Sequence, residues 1–109
     1  MTPPQQPPRA PSHAAVIYRR GETWDPRRPF REQDDIGLHA VFLRDQQENG
    51  HLYCGGPFLD DLGALAIYNV LTDVRSLETI LDTDPTVRRG TMTYEIHPVA
   101  LTFEPPPPT

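Results

Sequence analysis

The feature that most limits what this chain can fold into is where its prolines lie. Nine of the 14 prolines sit at the two ends, five within residues 3–11 and four at residues 105–108. Proline lacks an amide donor and fixes φ, so these stretches can form neither a helix nor an inner strand. Residues 1–13 and 104–109 are therefore expected to be extended, disordered tails, with a ligand for a proline-binding module as the alternative use. Folding falls to one domain, residues 14–103 of the 109. A body of roughly 90 residues buries only about 60–65% of its unfolded-chain surface, so pairing with a second copy would help it.

Within that body, turn signals divide the chain into alternating strands and helices. Ala14–Arg20 (AAVIYRR) reads as a first strand, because β-branched and aromatic residues follow one another. Gly21–Arg31 is a long loop punctuated by Gly21, Pro26 and Pro29. Asp34 or Asp35 opens a helix that stops at Asn49-Gly50, with Ile36, Ala40, Leu43 and Gln47 on its inward stripe, Leu38 and Phe42 flanking it, and His39 between Ile36 and Leu43. His51–Cys54 is a second strand that ends in a Gly55-Gly56-Pro57 turn, and Ala64–Val70 is a third. Asp73 caps a second helix from Val74 to about Asp84, which Pro85 ends. Met92, Tyr94 and Ile96 alternate with Thr93, Glu95 and His97 in a last strand.

The order β-α-β-β-α-β in so short a chain most simply makes an α+β, ferredoxin-like fold, a four-stranded antiparallel sheet with both helices on one face. Two helices leave the other face open. In the third strand Leu65 and Ile67 point opposite to Ala66 and Tyr68, so both faces are apolar, and a homodimer through the open face is expected.

Charge and motif content narrow the functional classes. A net charge of −5, with short, separated arginine pairs and no lysine, argues against a nucleic-acid footprint. No apolar run reaches the ~18 residues of a membrane span, and no secretion signal stands at the start, so a cytoplasmic location is expected. One cysteine cannot form an internal disulfide, which suits a reducing compartment. Cys54 reads as a small hydrophobe. His13, His51 and His97 do not combine with Cys54 into a zinc-ligand spacing, and phosphate-loop and dinucleotide motifs are missing. Neither metal nor cofactor is expected.

Two polar residues stand where apolar ones belong. His39 shares the inward stripe of the first helix, and Asp84 continues the stripe Leu77, Ile80, Leu81 at the end of the second. There a carboxylate would meet the negative end of the helix dipole, which a histidine donor would offset. If the helices lie side by side, His39 and Asp84 meet in one pocket. Gly55 and Gly56, with Pro57 after them, offer backbone amides that would receive an oxyanion; a plain turn is the alternative. The loop supplies Trp24 as a lid and Arg27, Arg28 or Arg31 as a clamp for a substrate carboxylate.

These pieces, in order, resemble the YCII-related (YciI-like) family in its longer-loop branch. The matching residues are QDDIGLHAVFL (33–43), Asn49-Gly50-His51-Leu52, Gly55-Gly56-Pro57-Phe58, ALAIYNV (64–70), Asp82-Thr83-Asp84-Pro85 and Val87-Arg88-Arg89-Gly90. The resemblance spans roughly residues 14–99. It implies a ferredoxin-like domain paired sheet to sheet as a dimeric α+β barrel, with a histidine and the aspartate of the Asp-Pro step as the active pair, here His39 and Asp84. It also implies chemistry similar to lyases or dehalogenases of small ring compounds. The proline tails and the arginine-bearing loop depart from the family and leave the substrate open. The reading is a small acid–base enzyme of lyase or hydrolase type. Its rival is a non-catalytic dimeric binding or accessory module.

Overall fold

The structure, a computed structural model, describes residues 10–69 and 73–105. The expected end of the third strand at Val70 and most of both proline-rich ends lie outside the described residues. Strands β1 (His13–Arg20), β2 (Leu52–Pro57), β3 (Gly63–Asn69) and β4 (Met92–Val99) form one antiparallel sheet in the order β2-β3-β1-β4. Helices α1 (Ile36–Glu48), α2 (Val74–Leu81) and α3 (Pro85–Arg88) complete the fold, with a 3-10 turn at Phe30–Glu32. The α+β class and the four-stranded antiparallel sheet match the sequence expectation. Among the described residues no helix is long and apolar enough to cross a membrane.

Alternation in the strands places the core. Ala14, Val16 and Tyr18 of β1 lie beside Tyr68, Ala66 and Ala64 of β3 and are all buried, as is Met92 of β4. Ile96 and Tyr94 extend this face opposite Val16 and Tyr18. The intervening residues Ala15, Ile17, Leu65 and Ile67 face the other way and are only half-buried.

Three local expectations need correction. First, β2 is longer than HLYC: it runs through Gly55 and Gly56 to Pro57, so these residues are strand and not turn. Gly55 is required there, because a Cβ would lie 2.6 Å from the Leu65 carbonyl oxygen. Pro57 is tolerated because β2 is an edge strand. Second, the inward line of α1 runs through Ile36, His39, Phe42 and Leu43, whereas Ala40, Gln47 and Leu38 are exposed. Asp35 takes the N-cap position in the left-handed region (φ 66°) without a side-chain cap, and its carboxylate lies 3.2 Å from Arg89.

Third, α2 stops at Leu81, and Asp84 does not continue its stripe. Asp84 instead caps α3, with Pro85 at the first helical position, where its missing amide costs nothing. The carboxylate therefore faces the amide end of a helical turn, and the expected conflict with a helix C-terminus does not arise.

Candidate functional site

The best-defined polar contact in the interior joins the two residues that the sequence singled out. His39 Nδ1 lies 2.5 Å from Asp84 Oδ2, and the residues are 3% and 0% exposed. The other carboxylate oxygen, Oδ1, accepts from the Thr86 amide (3.0 Å) and the Thr86 hydroxyl (2.8 Å). Both oxygens of Asp84 are thus engaged, and capping fixes the carboxylate that meets the imidazole. With Asp84 accepting at Nδ1, the proton on that nitrogen leaves Nε2 with its lone pair. Nε2 is buried and bonds to no protein group.

Aromatic side chains fix the ring plane. Tyr18 meets the imidazole edge-on, with ring centres 5.0 Å apart, and Phe30 lies at 6.5 Å in a similar orientation. Burial holds the Tyr18 phenol far above its ordinary pKa, and neighbouring Tyr68 and Asp84 add to the shift. Burial acts likewise on Tyr68, again with a contribution from Asp84. Both phenols stay protonated; the two hydroxyls influence each other, raising Tyr18 and opposing the rise at Tyr68, although neither meets a partner in hydrogen-bond geometry.

His39 forms part of the wall of a cavity of about 380 Å³, which is bounded by Phe30, Arg31, Ile36 and Leu43 on the helix side and by Gly56, Pro57, Ala64 and Leu65 on the strand side. Its surface is largely apolar apart from His39 and Arg31. A volume of this size suits a small organic molecule.

The other expected site residues divide between this cavity and elsewhere. Arg31, Gly56 and Pro57 line it; Gly55, Trp24 and Arg28 do not. The paired amides expected at Gly55 and Gly56 do not converge on one point, since successive amides of a strand point to opposite edges. Trp24 is 7% exposed and packs against Phe30, with the Arg20 guanidinium 5.2 Å from its ring centre. It anchors the loop from beneath, and Phe30 is the aromatic residue that reaches the cavity. Arg28 pairs with Asp34 (3.1 Å) and Arg27 with Asp25 (3.2 Å), so Arg31 is left as the arginine at the cavity.

Sequence reasoning missed three contributors. Thr86 was hidden as a turn residue after Asp-Pro, although Asp-Pro-Thr is a capping sequence with a hydroxyl two residues after the carboxylate. Gln33 is 4% exposed and ties the loop together: its amide oxygen accepts from Asp25 N (2.9 Å), and its Nε2 donates to the carbonyls of Asp25 (2.8 Å) and Arg28 (2.7 Å). Tyr18 looked like ordinary strand filling. Among the described residues, no three His, Cys, Asp or Glu side chains come together as a metal site would need. No protein-family model matches this chain, and no curated protein is significantly similar to it in sequence.

Proposed function

We propose that the chain is a small acid–base enzyme of lyase or hydrolase type, similar to the YCII-related family, in which His39 transfers a proton and Asp84 orients it. One observation carries this reading: a buried imidazole that helps to line a cavity of about 380 Å³ is fixed at Nδ1 by a capped carboxylate, while its buried Nε2 is left without a protein partner. In this arrangement the carboxylate holds one tautomer and stabilises the imidazolium once a proton is taken. The apolar walls suit a small ring compound, and Arg31 would hold a carboxylate on it. Removal of a proton from a ring carbon by Nε2, followed by loss of a leaving group, fits these parts. Hydrolysis of a cyclic substrate would use the same base on water.

The working unit in this proposal is a homodimer formed across the open sheet face. Ile17, Leu65 and Ile67 give that face an apolar centre, and Arg19, Glu95 and His97 form a polar cluster beside it. The largely apolar cavity also favours a second reading, a non-catalytic module that binds small rings.

Exchange of carbon-bound protons into D₂O, followed by NMR over a panel of small unsaturated ring carboxylates and lactones, separates the two. Enzyme-dependent exchange that falls at least about tenfold in His39→Ala is expected, since general acid–base assistance contributes about 10²–10⁴-fold. The same spectra report ring opening of the lactones; exchange or ring opening that is equally fast in the variant, or binding with neither, overturns the catalytic reading.

A further inference from the structure

Two walls of the cavity, Phe30 and Arg31, come from the short 3-10 turn and not from the sheet or α1. A turn of three residues is poorly held from within, because its first amides have no partner inside it. The Phe30 amide finds one outside: it donates to Asp61 Oδ1 at 3.1 Å, in the connection between β2 and β3. Asp61 is half-buried and sits in the left-handed region (φ 61°), where glycine is the easier residue. The hairpin closes without its carboxylate: the Asp61 amide donates to the Phe58 carbonyl (3.3 Å), and the Phe58 amide to that of Gly63 (2.8 Å). Contacts around this bond form a closed ring. The Arg20 guanidinium donates to the Asp61 carbonyl at 3.0 Å and lies 5.2 Å from the Trp24 ring centre. Trp24 packs against Phe30, with ring centres 5.9 Å apart, and the Phe30 amide returns to Asp61.

We infer that Asp61 is a positioning residue for the cavity: through the Phe30 amide it sets where Phe30 and Arg31 stand, and so raises the preference for rings that carry a carboxylate over neutral ones. The preference rests on the reading of Arg31 given above; the anchoring of the turn does not. Arg27 and Arg28 are each tied to a nearby aspartate, whereas the placement of Arg31 depends on the turn that carries it. A guanidinium–carboxylate contact is directional and tolerates little displacement, so a loosened turn weakens it first. Phe30 also faces the His39 ring, 6.5 Å away between centres, so the same anchor reaches the aromatic wall beside the imidazole.

Two substitutions in the full-length chain separate the bond from the backbone shape. Asp61→Gly keeps the left-handed backbone and loses the acceptor. Asp61→Asn keeps both, since asparagine tolerates that backbone and its amide oxygen accepts. Benzoate and benzyl alcohol, rings alike in size, are titrated against each chain, and Kd is read from NMR shifts. Asp61→Gly is expected to lower the preference for benzoate about fivefold or more and to steepen acrylamide quenching of Trp24. Its Tm should stay close to that of the unaltered chain, because the bond lost and the strain relieved are of similar size. Asp61→Asn should keep both the preference and the quenching. A residue that served the hairpin alone would give the opposite result, since glycine suits the turn at least as well. An unchanged preference in Asp61→Gly overturns the inference, as does an equal loss in Asp61→Asn, which would assign the effect to charge. An unprotected Phe30 amide in hydrogen exchange of the unaltered chain overturns it without any variant. If the unaltered chain binds both probes equally, the carboxylate role of Arg31 fails; quenching then decides the anchoring, a rise in Asp61→Gly supporting it and no change overturning it. Neither readout uses proton transfer, so failure of the exchange experiment would leave both intact.

Discussion

Replacing Asp84 by alanine removes three hydrogen bonds at once: the one to His39 Nδ1 at 2.5 Å and those to the Thr86 amide and hydroxyl at 3.0 and 2.8 Å. All of these groups lie in the interior, so none recovers a partner from water. Breaking a buried pair from one side costs about 3–5 kcal/mol, a large share of the roughly 5–15 kcal/mol that holds a domain folded. Asp84→Asn separates the two jobs of the side chain. Its amide oxygen still accepts from Thr86, so the cap on α3 survives. Its NH₂ group cannot accept from Nδ1, so the imidazole must move its proton to Nε2 and accept at Nδ1. A charge-assisted bond becomes a neutral one, at an expected cost of about 1–2 kcal/mol. Urea titration of Trp24 fluorescence measures both variants, since this is the chain's single tryptophan and it is buried. The aspartate-to-asparagine change should also remove proton exchange into substrate, because Nε2 no longer carries a free lone pair. If alanine costs less than about 1 kcal/mol, or if asparagine costs as much as alanine, the division of labour between the two oxygens is refuted.

Two further outcomes follow from the surroundings of the site. Gln33→Ala strips partners from the Asp25 amide and from two carbonyls; the expected cost is about 2 kcal/mol, and trypsin should cut faster after Arg27. Unchanged cleavage would mean that the loop is held by Trp24 alone. Stability should also fall as pH climbs above about 10, the ordinary tyrosine value. The folded chain keeps the protons of Tyr18 and Tyr68, whose pKa values are raised, while the unfolded chain releases them, so stability is fully present below that value and declines above it. Each phenol contributes a slope of about 1.4 kcal/mol per pH unit. Urea midpoints between pH 9 and 11 should therefore flatten in a Tyr18→Phe, Tyr68→Phe double variant, and an unaltered slope would contradict the assignment.

What the sequence made legible was governed by period and punctuation. Alternation fixed all four strands to within a few residues, and Gly50 and Pro85 marked real boundaries. Pro85 reads from the sequence as the end of one helix and in the structure begins the next, since proline serves at a first turn as readily as it stops a last one. The pairing of His39 with Asp84 was visible because both were polar residues out of place. The roles of Thr86 and Gln33 were not, because side chains that bond to nearby backbone leave no periodic trace. Trp24 and Arg28 illustrate the opposite difficulty. Residue type suggested a ligand, whereas the fold gives each a local partner, an aromatic neighbour for one and Asp34 for the other. Gly55-Gly56 suggested a turn, and only the ladder with Leu65 and Ala66 reveals an edge strand.

The strand order has a consequence for how the molecule comes together. β1 and β2 precede the Phe58–Leu62 connection and β3 and β4 follow it, yet in the sheet the two pairs interleave like the fingers of clasped hands. No strand lies beside another from its own half, so every ladder stitches the front of the chain to the back. His39 and Asp84 obey the same division. Neither half has a sheet to itself, and the imidazole finds its carboxylate only once both halves have closed, which makes that contact a reporter of complete assembly.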